Sequence, residues 1–161
     1  MNGIKKILIL GLGNEVVGDE SLGLIMVNDL QNAGVFPEAV YVCAYTGGLT
    51  LLDYIAGCDT LFIIDTTCGN ECQAGTIHHY KPETYRETLH LSSEHDTSFL
   101  TTLETGKKLR LKIPGQIHVL AIEINRDLIL EEKLSDIISG QYDKIRSEII
   151  KFIKKYTINN S

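Results

Sequence analysis

Two short apolar runs, Lys6–Leu12 (KILILGL) and Thr60–Asp65 (TLFIID), constrain this chain more than any other feature. Each has the length of a strand and is apolar almost throughout. A strand with one face in water alternates; a strand covered on both faces reads as a continuous run. Between the two runs the period changes. Leu22, Ile25, Met26 and Leu30 recur at three- and four-residue spacing within Ser21–Ala33. That spacing lines one face of a helix, with Gly34 as its stop. Ala39–Ala44 (AVYVCA) reads as a second strand, Thr46-Gly47-Gly48 as a turn, and Thr50–Ala56 as a short helix with Thr50 as its cap and Gly57 at its end. Strand, helix, strand, helix, strand is the order of a parallel sheet built by crossovers and covered by helices on both faces. The three strands are expected to be neighbours in that sheet.

The remainder continues the pattern. Gly75–Tyr80 and Gln116–Ile124 (QIHVLAIEI) read as strands, Thr97–Thr105 as a helix stopped near Gly106, and Leu128–Ile138 as a helix. Tyr142–Tyr156 reads as a helix on the stripe Ile145, Ile149, Phe152, Ile153 and Tyr156. At 161 residues, 43% of them apolar, the chain suits one filled core and predicts a single domain over 1–161. No apolar run approaches the length of a membrane span, and no signal-peptide pattern follows Met1–Lys6, so a cytoplasmic location is expected. The formal charge of −6 argues against general affinity for nucleic acid or an anionic membrane. Four cysteines in such a chain do not call for disulfides, and Cys43 and Cys58 read as buried small side chains.

The glycine turn after the first strand matches a dinucleotide fingerprint poorly. Gly11 and Gly13 fit, but Val16 stands where the third glycine belongs, and the second strand ends at Ala44-Tyr45 without a carboxylate for a ribose. The turn carries acid instead, Asp19-Glu20, and Asp65 ends the third strand. Loops beyond the strand C-termini form the binding crevice of an open α/β sheet. Asp19 is placed to cap a helix, whereas Glu20 has no evident packing role; both acids could also simply cap helices or face water.

Among the histidines, His95 lies in a polar stretch ahead of a helix. His118 alternates with apolar residues and reads as structural. His78 and His79 point to opposite sides of a strand, and His90 has no distinguishing context. Glu20, Asp65 and His95 would offer two oxygens and one nitrogen, a set suited to zinc or nickel with open positions. Cys68-x-x-x-Cys72 with His78 lacks a clear fourth ligand, so loop cysteines of structural role are expected there. No Ser–His–Asp order and no His-Glu-x-x-His is present.

Gly11-Leu12-Gly13-Asn14 followed by Gly18-Asp19-Glu20-Ser21-Leu22-Gly23 resembles the opening of the nickel–iron hydrogenase maturation endopeptidases. Thr46-Gly47-Gly48-Leu49, Phe62-Ile63-Ile64-Asp65, Ser93-Glu94-His95 and the strand Val119–Ile124 agree with the same family in order and spacing. The resemblance implies a three-layer α/β fold with a twisted, mostly parallel five-stranded sheet flanked by helices. It implies that Gly11, Gly13 and Gly23 hold the turn and its close packing. It further implies removal of the C-terminal extension of a hydrogenase large-subunit precursor, a metal-dependent peptide hydrolysis, with Glu20, Asp65 and His95 as the catalytic, metal-binding residues. Nickel would be presented by the precursor, with zinc or another divalent ion as a possible substitute, and the protein would act as a monomer or weak homodimer. A non-enzymatic nickel-binding or metallochaperone protein on the same scaffold is the alternative.

Overall fold

The computed structural model describes residues 6–68, 73–84, 87–91, 97–125 and 132–158. Five strands form one sheet: β1 (Ile7–Leu12), β2 (Ala39–Ala44), β3 (Thr60–Thr67), β4 (Ile77–Tyr80) and β5 (Gln116–Glu123), in the order β2-β1-β3-β5-β4. The first three are parallel neighbours, as the apolar runs predict, and β5 joins β3 in parallel; β4 closes the far edge antiparallel to β5. Among the described residues four α-helices cover the sheet: α1 (Leu22–Asn32), α2 (Leu52–Ile55), α3 (Phe99–Lys108) and α4 (Asp136–Ile158).

The continuous apolar strands follow from two cores. Leu8, Leu10 and Leu12 of β1, with Leu61 and Ile63 of β3, pack against Leu52 and Ile55 of α2 and Phe99 and Leu103 of α3. Ile9 of β1, with Phe62 and Ile64 of β3, packs against Met26 and Leu30 of α1 and Ile145, Ile149 and Ile153 of α4. Successive strand residues feed opposite layers, so every position must be apolar. Each such side chain, fully buried, contributes about 1.5–3 kcal/mol.

Gly11, Gly13 and Gly23 do interlock. A Cβ on Gly23 would collide with the carbonyls of Leu12 and Ile64, one on Gly11 with the carbonyl of Gly23, and one on Gly13 with that of Glu20. This pins the start of α1 against β1 and β3 and sets the turn that carries Glu20.

Several element boundaries differ from the sequence expectation. A 3-10 turn, Gly18–Ser21, precedes α1, and another, Gly48–Leu51, precedes α2. Thr50 therefore does not cap α2; its hydroxyl donates to the carbonyl of Gly47. Ser98 caps α3, accepting from the Thr101 amide at 3.1 Å. Gly106 does not stop that helix. It lies inside it because a side chain there would strike Ile113 and Leu52. The stop is Arg110, at φ 59°, with Leu111 N–H donating to the carbonyl of Gly106. β4 starts at Ile77 rather than Gly75. The helix expected over Leu128–Ile138 falls partly on 126–131, outside the described residues. Residues 132–135 are not helical, and α4 runs unbroken from Asp136 through Gly140. Ser135 caps it, accepting from the Ile138 amide.

Candidate functional site

The turn leaving β1 carries Glu20, and Asp65 lies inside β3 rather than ending it, because the pairing with β5 runs on through Thr67; the two acids meet at the C-terminal edge of the sheet. Asp65 is fully buried and faces the α2–α3 side, in line with Ile63. A carboxylate there needs partners, and it has four. Oδ1 accepts from the Thr66 amide at 2.8 Å and lies 2.7 Å from Nδ1 of His90. Oδ2 accepts from the Thr88 hydroxyl at 2.5 Å and from the His90 amide at 2.9 Å. The other ring nitrogen of His90, Nε2, lies 3.2 Å from Oε2 of Glu20. His90 thus bridges the two acids, its side chain 11% exposed and that of Glu20 15%.

A carboxylate oxygen at each ring nitrogen favours the form in which both nitrogens donate, the imidazolium. Burial by itself pulls the His90 pKa down; the hydrogen bond and charge of Asp65, and then Glu20, outweigh it and leave the pKa raised.

Sequence reading gave His90 no role. The signal was nonetheless present in Thr88-Leu89-His90-Leu91, where polar and apolar residues alternate. Leu89 N–H donates to the carbonyl of Thr66 and anchors this turn segment beside the end of β3, and the Thr88 and His90 side chains both reach Asp65. The Thr46-Gly47-Gly48 turn supports this segment. Gly48 N–H donates to the carbonyl of Leu91 at 3.0 Å, and a side chain on Gly47 would collide with the carbonyls of His90 and Leu91.

Asp19 does not cap α1. Its carboxylate accepts from the amide and hydroxyl of Ser135, at 2.7 and 2.8 Å, and so ties the glycine turn to the start of α4. His95 and Cys72 lie outside the described residues. Cys68 packs with the layer under α1 and α4, and Nε2 of His78 lies 3.0 Å from Oε2 of Glu123. Cys58 is buried and Cys43 half-buried. His118 is buried as expected, stacked on Phe62 and with Nδ1 3.0 Å from Nε2 of His79; its own Nε2 has no partner among the described residues.

Two carboxylates and an imidazole are a suitable donor set for zinc or nickel. As they stand, they do not fit a resident metal ion. All the acceptor positions described for Asp65 face N–H or O–H donors, and both nitrogens of His90 face carboxylates. Among the described residues no group of three or more His, Cys, Asp and Glu side chains is arranged to hold an ion.

This fold and edge site define a class. The family model described as HycI, hydrogenase maturation protease, matches residues 25–152, and the chain belongs to that family. The hydrogenase 2 maturation protease of Escherichia coli (strain K12) is 33% identical over 73 residues, which are 45% of this chain and 44% of that protein; the match spans less than half of that relative. Among solved structures, the hydrogenase maturating endopeptidase HybD from E. coli shares the fold at a TM-score of 0.73 and 19% identity, over 94% of this chain and 93% of that one. A [NiFe] hydrogenase maturation protease HybD from Thermococcus kodakarensis is 25% identical, with a TM-score of 0.63 over 91% and 98% of the two chains. Among the described residues no helix is long and apolar enough to cross a membrane.

Proposed function

We propose that this chain is an endopeptidase that removes the C-terminal extension of a nickel–iron hydrogenase large-subunit precursor, and that it acts on the precursor after nickel has been inserted. The observation that carries the reading is the convergence of Glu20 and Asp65 at one sheet edge, neutralised by His90, in a chain of the hydrogenase maturation protease family. Nickel enters as part of the substrate. Glu20, Asp65 and His95 complete the shell of an ion the precursor already holds, which positions the bond to be cut. His90 occupies the space between the acids until then. A free ion must displace it unaided, so isolated metal binds weakly, and zinc or another divalent ion can substitute only in part. The protein works in the cytoplasm as a monomer or weak homodimer, with the precursor as its partner.

The test mixes purified protein with a candidate precursor, nickel-loaded and nickel-free, and reads the precursor by mass spectrometry. The expected result is loss of the C-terminal peptide from the loaded form alone. No cleavage of either form overturns the endopeptidase reading; equal cleavage of both overturns the nickel requirement. Alanine at Glu20, Asp65 or His95 abolishes cleavage if these residues meet the metal.

A further inference from the structure

Peptide hydrolysis requires a group that takes a proton from water and returns one to the departing amine. In the described site Asp65 and Glu20 hold both His90 nitrogens, and as an imidazolium the ring, even once displaced, has no lone pair with which to take a proton. Asp65 is saturated as well. A second acid–base pair lies along the same sheet face, away from Glu20. In the strand registers Asp65 stands opposite Ala121, Thr67 opposite Glu123, and His78 opposite Ala121. Alternation puts Asp65, Ala121, Glu123 and His78 on one face, at the end where the strands open into loops. One strand spacing of about 4.8 Å and two residues of rise put the Cα atoms of Asp65 and Glu123 about 8 Å apart, and two spacings put that of His78 about 10 Å from Asp65.

There Glu123, with its side chain 7% exposed, meets Nε2 of His78 at 3.0 Å, and His78 is 40% exposed. The backbone of Glu123 is fixed on both sides, its N–H donating to the carbonyl of Thr76 and its carbonyl accepting from Gly75. The residue between Asp65 and His78 across the sheet is Ala121, a side chain too small to separate them. A shielded carboxylate that orients one nitrogen of an accessible imidazole leaves the other, Nδ1, to exchange protons. A cross-strand ion pair kept only for stability has no need of this accessibility and contributes less than about 1 kcal/mol. The other histidine of the pair, His79, faces the opposite layer and is engaged with His118.

We propose that His78, oriented by Glu123, is the general base and acid of the hydrolysis, with Glu123 as its positioning residue. This rests on the reading of the chain as a processing endopeptidase. Water attacks the scissile carbonyl carbon while its proton passes to Nδ1 of His78. The C–N bond of the resulting tetrahedral adduct breaks as that proton is delivered to the amide nitrogen, giving a carboxyl group, which ionises, and a free amine.

The experiment measures single-turnover cleavage of the nickel-loaded precursor by wild type, His78→Ala and Glu123→Gln, by mass, with and without imidazole in the buffer. His78→Ala is expected to slow cleavage by about 10²–10⁴-fold. Its binding of the loaded precursor should stay within about twofold of wild type, which separates chemistry from docking. Added imidazole should restore the His78→Ala rate by about tenfold or more, since it supplies the missing base, and should not restore Glu123→Gln. A His78→Ala rate within about threefold of wild type overturns the proposal. So does a slow rate that imidazole leaves unchanged. Wild type that leaves the precursor intact overturns the endopeptidase reading itself, whereas cleavage by wild type and His78→Ala alike overturns only the dyad.

Discussion

His90→Ala should destabilise the fold although His90 lies in a loop segment beside the sheet. Among the described residues the ring is the only cation in contact with the Asp65 carboxylate, which is completely buried, and it also neutralises Glu20. Removing one partner of a buried ion pair costs about 3–5 kcal/mol, because the other charge stays behind unpaired. Three of the four donors to Asp65 survive the change, namely the amides of Thr66 and position 90 and the hydroxyl of Thr88. That retention brings the expected loss to about 2–3 kcal/mol. With a urea slope of about 2 kcal/mol/M, the unfolding midpoint should fall by roughly 1–1.5 M.

His90→Phe separates charge from volume. It refills the space but supplies no N–H, so it should be as destabilised as the alanine variant. Asp65→Asn cannot relieve either variant. Each oxygen of Asp65 accepts a backbone N–H, so either orientation of the amide would set its NH2 group against one of them. Urea unfolding followed by circular dichroism measures all of these. A loss below about 0.5 kcal/mol in His90→Ala, or full recovery in His90→Phe, would refute the argument that the imidazolium holds the buried carboxylate.

Two further outcomes follow from the fold. His118 is held down to about 4, chiefly by burial and then by the charges of His79 and Lys81. A depressed histidine is neutral in the folded state and protonated in the unfolded state between its two pKa values. Stability from this source is therefore complete above about 6.5 and is lost as pH falls toward 4. The loss is on the order of 2–3 kcal/mol. His118→Phe should narrow the difference in urea midpoint between pH 7 and pH 4.5; an unchanged difference refutes this. Arg110 adopts φ 59° at the end of α3, where the Leu111 amide reaches back to Gly106. Arg110→Gly should stabilise by about 0.5–1 kcal/mol, raising the thermal midpoint by roughly 1–4 °C; an unchanged or lower midpoint counts against left-handed strain there.

By itself the sequence determined the sheet and its two helical layers. Strands buried on both faces must be apolar through their length, as Ile7–Leu12 and 61–64 are, and helices against them must repeat at 3.6, as Leu22, Met26 and Leu30 do. Both are local patterns, legible without knowing what packs where. Glu20 and Asp65 were legible for the same reason, since they lie near the C-terminal ends of strands whose direction the pattern gives. Helix ends were less so. Gly106 has the look of a stop signal until Ile113 and Leu52 are placed against it, and Asp19 that of a cap until Ser135 arrives from the far end of the chain. His90 and the His78–Glu123 pair belong wholly to the tertiary structure. Seventy residues separate His90 from Glu20, and forty-five separate His78 from Glu123. What joins them is a hydrogen bond from the Leu89 amide to the carbonyl of Thr66 and an antiparallel register between β4 and β5. Hydrogen-bond register and charge neutralisation act between segments, and no spacing within one segment encodes them.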